Sequence, residues 1–187
     1  MGARLPAPLR RRQLLDVAIA VFARRGYANA SMSDVADAAG VTKPVLYQHF
    51  RSRRDLYLAA LDDVVDRLRR HVEQSSGDID SPREQAVAGL SAYFRFVRDH
   101  DDAFELLFGD GSRRDPDLNR AARALEDAVG RSVGELMAVS DLADLDPDLL
   151  GHAIVGMAEE PRPDPAQFAP PIAQLAWAGL RGLGSEA

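Results

Sequence analysis

Residues 31–50 of the chain read SMSDVADAAGVTKPVLYQHF, and this stretch carries the signals of two short helices joined by a tight turn. Ser33 offers a side-chain oxygen that accepts a hydrogen bond from a backbone amide at a helix start, which predicts a first helix over 34–39. Gly40 follows that helix, and glycine adopts the positive φ found after many helices without steric strain. We therefore expect the two helices to be joined at Gly40.

The second helix is predicted over 43–50, with Thr42 as its N-cap. Pro44 falls in the first turn, where the absence of an N–H leaves no helical hydrogen bond unmade. Leu46 and Phe50 are one turn apart and lie on the same side of the helix, which we expect to face the core.

Two short helices arranged in this way form a helix-turn-helix, here at about 32–51, whose second helix enters the major groove of DNA. The side opposite the expected core combines a cation, hydroxyl and amide groups, and small apolar groups, which suits phosphate anchoring and base-edge reading. The residues on that side are Lys43, Pro44, Val45, Tyr47, Gln48 and His49. For Tyr47 and His49, packing at the helix edge or plain solvation is an open alternative.

The rest of the chain also predicts helices, and strand signals are scarce. A first helix is expected at about 9–25, because Leu14, Val17, Ala18, Val21 and Phe22 follow the spacing of one buried helical face. A long helix is expected at about 53–74, and residues 75–82 (SSGDIDSP) indicate a loop and a domain boundary. The proline-rich segment 159–171 is expected to interrupt helix. The further helices are expected at about 83–99, 101–109, 115–139, 147–160 and 166–183.

Charge is divided unevenly along the chain, although the net charge is −6. Residues 1–56 hold 10 Lys and Arg and 4 Asp, a net charge of +6, while the remaining 131 residues have a net charge of −12. A basic amino-terminal part favours contact of that part with a polyanion, and an ordinary uneven surface is the alternative. Arg10, Arg11 and Arg12 indicate either a flexible arm near phosphate or a solvated helix start.

Several classes of protein are disfavoured by what the sequence lacks. It has no cysteine, which excludes disulfides and cysteine-based metal sites. No apolar run reaches the roughly 20 residues of a membrane span. The first residues, MGARLPAPLRRRQLL, lack the apolar region of a signal peptide, so a cytoplasmic protein is expected. His71, His100 and His152 stand apart from further ligands, and we expect no metal, no cofactor and no enzymatic activity.

The segment SMSDVADAAGVTKPVLYQHFRSRRDLYLAAL, residues 31–61, resembles the TetR family of bacterial regulators. The resemblance rests on DVADAAGV, on TKPVLYQHF and on the following SRRDLY, and it extends back to AIAVFARRGYANAS. It implies an all-α fold with a three-helix DNA-binding head, at 9–74, on a larger helical body for effector binding and dimerisation, at 83–184.

The resemblance also implies individual DNA contacts. Ser33, Tyr47 and His49 would contact phosphates, Thr42 and Lys43 phosphate or base, and Pro44 and Val45 bases. Arg53 stands where the family usually has Lys near a phosphate, and it keeps the charge. Pro44 departs from the family's common Gly, Ala or Ser and removes a backbone donor. The predicted DNA-binding residues are Ser33, Thr42, Lys43, Pro44, Val45, Tyr47, Gln48, His49 and Arg53.

In the body, the resemblance implies that the last two long helices pair with those of a second copy. The expected interface residues, which follow helical spacing, are Leu150, Ile154, Met157, Ile172, Leu175, Ala176, Gly179, Leu180 and Leu183. Burial of these residues within one subunit is the alternative. Pro161 ends the second-last helix earlier than is common in the family, which leaves open a shortened helix or residues absent from the sequence. A pocket for a small apolar effector is expected among aromatic and apolar residues, with plain core as the alternative. These residues are Tyr93, Phe94, Phe96, Phe104, Leu107 and Phe108.

Together, these features predict a ligand-responsive repressor that acts as a homodimer on a near-palindromic operator of double-stranded DNA. Two alternatives remain open. One is a DNA-binding dimer without a small-molecule effector. The other is a helical enzyme or small-molecule binding protein, which would need convergent titratable groups in a pocket.

Overall fold

The computed structural model describes residues 6–77 and 79–108, some positions within 115–131, and Pro171. The helices bounded within 6–108 are α1 (Ala7–Asn29), α2 (Met32–Ala38), α3 (Lys43–Tyr47), α4 (Arg53–Ser76), α5 (Pro82–Asp99) and α6 (Asp101–Phe108). No strand occurs among the described residues, and the predicted all-α fold is confirmed. The helices expected over 115–139, 147–160 and 166–183 lie wholly or mostly outside the described residues.

α1 buries the apolar stripe that the sequence predicts. Leu14, Ala18, Val21 and Phe22 are buried, as are Leu15 and Ile19, whereas Val17 is half-buried. Gly26 has a φ of 70° and breaks the helical conformation where we expected the helix to stop. The predicted end of the first helix at residue 25 is therefore confirmed, and a short second helical segment, counted here as part of α1, continues after the kink to Asn29. A single glycine with positive φ bends the chain here, and the amide of Ala30 still bonds the carbonyl of Gly26 at 3.2 Å.

The start of α2 corrects the prediction that Ser33 is the N-cap of a helix over 34–39. The N-cap is Ser31, whose hydroxyl accepts from the amide of Asp34, while the Asp34 carboxylate accepts from the amide of Ser31. This reciprocal pair needs an acceptor side chain three residues after the cap. Ser31 has Asp34 at that position, but Ser33 would have Ala36, which cannot return the bond.

The turn after α2 has the predicted conformation. Gly40 has a φ of 64°, and its amide donates to the carbonyl of Asp37 at 3.1 Å. The amide of Val41 then donates to the carbonyl of Ala36 at 3.0 Å, which ties the chain back onto α2 before α3 begins. α1 packs against α2, and α2 packs against α3.

α3 is shorter than the predicted helix over 43–50. Thr42 is at the N-cap position as predicted, but its side chain makes no capping bond; its carbonyl accepts from the amides of Val45 and Leu46 instead. Pro44 lies in the first turn, as expected. After Tyr47 the chain continues as a turn, in which the amide of Phe50 still donates to the carbonyl of Leu46 at 3.1 Å.

α4 buries Leu56, Ala60, Leu61, Val64 and Leu68, as its predicted inner face requires. α5 begins after Ser81, whose hydroxyl accepts from the amide of Glu84 at 3.4 Å.

Of the described residues, those up to Val64 and those from Asp102 to Arg123 form one compact unit, and the others fall in a second. The domain bounds at 9–74 and 83–184 remain predictions.

Candidate nucleic-acid interface

α3 presents opposite sides to the core and to solvent. Leu46 is 0% exposed and Phe50 is 1% exposed, whereas Tyr47, next to Leu46 in the chain, is 51% exposed. The exposure of Tyr47 directly after a fully buried residue is notable, since a tyrosine ring gains free energy by leaving water. The predicted division of this helix into an inner and an outer side is confirmed.

Six of the nine residues predicted to bind DNA form what we call the recognition face: Lys43, Pro44, Val45, Tyr47, Gln48 and His49. Thr42, Lys43, Pro44 and Gln48 are exposed, and Val45 and His49 are half-buried. Lys43 and Tyr47 are one helical turn apart, so their ammonium and phenol groups lie on the same side of α3. This surface offers one cation, one phenol and one amide around an apolar proline, which is a chemistry suited to phosphates and base edges.

Ser33 lies in the first turn of α2 and is half-buried. Near it, the Asp34 carboxylate accepts from Arg25 Nη1 at 2.6 Å as well as from Ser31. The hydrogen bond from the Ser31 side chain, followed by that from the Ser31 backbone and by the charge of Arg25, holds the pKa of Asp34 below its ordinary value. The carboxylate therefore stays ionised and ties the end of α1 to the start of α2.

Arg53 is the predicted DNA contact that the structure places differently. Its Nη1 donates to the carbonyl of Ala30 at 2.9 Å, and its guanidinium lies over the Tyr27 ring, 4.3 Å from the centroid. The side chain is half-buried and faces the link between α1 and α2. A role in binding phosphate is still a prediction for this residue.

The arginines near the start of the chain lie inside α1, which fits the helix-start interpretation at these positions better than a flexible arm. Arg11 is exposed, yet its guanidinium lies 5.0 Å from the centroid of the Phe50 ring. Arg10 Nη1 donates to Gln13 Oε1 at 2.7 Å. Sequence reasoning missed the contact between Arg11 and Phe50, because no local signal joins residues that are 39 positions apart.

Comparison with known proteins identifies the family. Residues 14–60 match the family model described as bacterial regulatory proteins, tetR family. Over 136 residues the chain is 38% identical to the HTH-type transcriptional activator FasR of Mycolicibacterium smegmatis, an alignment covering 73% of this chain and 62% of FasR. The chain belongs to the TetR family. It is also 32% identical over 109 residues to the HTH-type transcriptional repressor KstR2 of the same species, covering 58% of this chain and 53% of KstR2. This TetR-family chain thus spans less than two thirds of the length of either relative.

Solved structures share the TetR-family fold over most of the chain. A TetR-like transcriptional regulator from Rhodococcus sp. RHA1 superposes with a TM-score of 0.75 at 27% identity, covering 96% of this chain and 100% of that one. The regulator FadR from Bacillus subtilis, solved in complex with stearoyl-CoA, has a TM-score of 0.75 at 16% identity and covers 90% of this chain and 98% of FadR. At 16% identity, the likeness to FadR concerns the fold alone.

The residues predicted to line an effector pocket are largely buried in this TetR-family chain. Tyr93, Phe94, Phe96, Phe104 and Leu107 are all buried, and the side chain of Phe108 lies outside the described residues. Burial fits both a plain core and a pocket wall, so the pocket remains a prediction. The nine residues predicted for the dimer interface, from Leu150 to Leu183, also lie outside the described residues.

Among the described helices, none combines the length and the apolar composition that a membrane crossing requires. Within the same described residues, no group of three or more His, Cys, Asp or Glu side chains comes together as a metal site would require.

Proposed function

We propose that this chain is a sequence-specific DNA-binding transcription regulator whose α3 reads the major groove. The observation that carries the proposal is the outward-facing Lys43, Pro44 and Tyr47 on a helix held by the buried Leu46 and Phe50. A helix fixed on one side and polar on the other is what insertion into a groove requires. Family membership and the regulator names of the relatives support the same function.

The test is selection from a random duplex library, followed by anisotropy titration of the enriched duplex against a scrambled one. Lys43→Ala removes one charge from the recognition face and is expected to weaken binding about tenfold and reduce the salt slope by about 1. Arg70→Ala removes one charge from an exposed site on α4 outside the helix-turn-helix, and it serves as the matched control. Equal affinity for both duplexes, or equal losses in the two variants, contradicts the proposal.

We further propose that the regulator binds as a homodimer to a near-palindromic operator. One helix-turn-helix reads only a half-site, and a twofold dimer places two recognition helices about 34–36 Å apart in successive major grooves. The enriched duplexes are then expected to contain two inverted half-sites. A single half-site bound at one chain per duplex in sedimentation analysis would refute the dimer.

An apolar small molecule is the effector that we propose, since aromatic side chains are concentrated in α5 and α6. The B. subtilis FadR complex suggests stearoyl-CoA as the first probe. An effector lowers DNA affinity only by its differential affinity for the two states, so both DNA binding and the melting temperature need to be measured. No change in either quantity with stearoyl-CoA, or with free fatty acids that carry the apolar chain alone, contradicts this assignment and favours a DNA-binding dimer without an effector.

We propose that the chain represses transcription. The output of a reporter gene fused to the enriched operator measures the direction of regulation. Of the relatives compared above, FasR is an activator and KstR2 is a repressor. Lower reporter output in the presence of the wild-type chain, but not of Lys43→Ala, is the expected result. Higher output would identify an activator while leaving DNA binding unaffected.

A further inference from the structure

Arg53 stands at the first position of α4 and turns back toward the protein. Its Nη1 donates to the carbonyl of Ala30 at 2.9 Å and lies 3.5 Å from the carbonyl of Ala28. Ala28 lies in the last turn of α1, whereas Ala30 lies in the link between α1 and α2 and directly precedes the N-cap Ser31. Hydrogen bonds from a charged donor are stronger than neutral ones, so this is a substantial tie between two segments.

The ring beneath the Arg53 guanidinium is itself held in place. Tyr27 contacts Tyr57 edge-on, with ring centroids 5.0 Å apart, and lies 6.1 Å from the Phe22 ring. Tyr57 and Phe22 are both buried. The guanidinium therefore stacks on a ring that the core fixes, which is an arrangement that favours arginine over lysine because the guanidinium is planar.

The bond between Arg53 and Ala30 closes a loop of chain that contains the whole of α2 and α3. α3 has only five residues, and its amino-terminal end is tied to α2 by the bond from Val41 to Ala36. Such a short helix has little stability of its own, and its direction depends on how its two ends are held. Arg53 holds the carboxy-terminal side of this loop.

We propose that Arg53 is a positioning residue, which acts through Tyr27 and the Ala30 carbonyl to orient α3, and that a phosphate contact is not its main contribution. This inference rests on the proposed DNA-binding function. It predicts that loss of the Tyr27 ring, which carries no charge, has the same effect on DNA affinity as loss of the guanidinium.

The first test compares DNA affinity and its salt dependence in Arg53→Met, Arg53→Lys, Tyr27→Leu and the double variant Arg53→Met/Tyr27→Leu. Each single change is expected to weaken binding about tenfold with an unchanged salt slope, and the double variant to bind no more weakly than either. Tyr27→Phe keeps the ring and is the matched control. A phosphate contact instead predicts a slope smaller by about 0.9 in Arg53→Met, near-wild-type binding in Arg53→Lys, and no effect of Tyr27→Leu. Those results overturn the positioning role.

The second test needs no DNA and therefore separates this inference from the proposed function. Amide hydrogen exchange in the free, folded chain is expected to quicken about tenfold at Val41, Leu46 and Phe50 in both Arg53→Met and Tyr27→Leu. Exchange in Tyr27→Phe is expected to match the wild type. Unchanged exchange at these amides in either loss variant overturns the inference, even if the chain binds DNA.

Discussion

Ser31 and Asp34 bind each other's backbone amides at the start of α2. The Asp34 amide donates to the Ser31 hydroxyl at 3.2 Å, and the Ser31 amide donates to Asp34 Oδ2 at 2.8 Å. The other carboxylate oxygen accepts from Arg25 at 2.6 Å. Two donors that would otherwise lack partners at the helix start are satisfied, and α2 acquires a defined position relative to α1.

We expect Ser31→Ala to lower the free energy of unfolding by about 1 kcal/mol, because the capping bond to the Asp34 amide is lost. Ser33→Ala is the matched control, since Ser33 lies two residues further along and does not cap the helix. Its effect on stability is expected to stay within about 0.5 kcal/mol. Chemical denaturation measures the free energy of unfolding of both variants. Equal losses in Ser31→Ala and Ser33→Ala would show that Ser31 is not the cap of α2.

Asp34 makes the stability of the chain depend on pH in the acid range. Its pKa is lowered in the folded state, chiefly by the Ser31 hydroxyl, so the folded state favours the ionised form. The contribution is full above the ordinary value of 3.8 and is lost as the pH falls through the lower folded value. The melting temperatures of wild type and Asp34→Asn should therefore differ at pH 7 and converge toward pH 2. A difference that stays constant over this range would contradict the assigned role of the carboxylate.

Gly40 allows the turn between α2 and α3, and we expect Gly40→Ala to destabilise the chain by about 1–2 kcal/mol. A Cβ at this position would meet nothing within 4 Å, so the loss comes from the φ of +64° and not from a clash. Gly40→Asn is the control, because asparagine tolerates this conformation better than alanine. Equal stability of the wild-type and alanine chains in urea would show that the turn adopts a negative φ.

Leu46 and Tyr47 are neighbours with opposite expected roles. Leu46→Ala empties a fully buried site and is expected to lower stability by about 2–5 kcal/mol. Tyr47→Ala removes a side chain that is half exposed, so stability should change by no more than about 0.5 kcal/mol while DNA affinity falls. Denaturation and anisotropy distinguish the two. Wild-type stability of Leu46→Ala would contradict the assignment of Leu46 to the inner side, and wild-type DNA affinity of Tyr47→Ala would contradict a DNA contact at Tyr47.

The sequence predicts the helices well where periodicity is strong, and less well where a helix end depends on a specific bond. The apolar stripes of α1 and α4 repeat over several turns, so their buried sides were confirmed. The cap of α2 was wrong by two residues, although the signal was present: Ser31 and Asp34 have the spacing of a capping box, which Ser33 and Ala36 lack. The end of α3 was too late because a turn follows Tyr47, with bonds similar to those of a helix.

Local sequence is sufficient to establish which side of α3 faces solvent. Leu46 and Phe50 are four residues apart, a spacing that a helix places on one side and that the turn after Tyr47 retains through the bond from the Phe50 amide to the Leu46 carbonyl. Lys43, Pro44 and Tyr47 are left on the other side. Local sequence does not predict the direction of the Arg53 side chain, because its partners Ala30 and Tyr27 are 23 and 26 positions earlier in the chain. No helical or turn pattern relates residues at such separations. They meet because packing of the helices brings the start of α4 beside the link before α2, and this packing turns a predicted phosphate contact toward the protein.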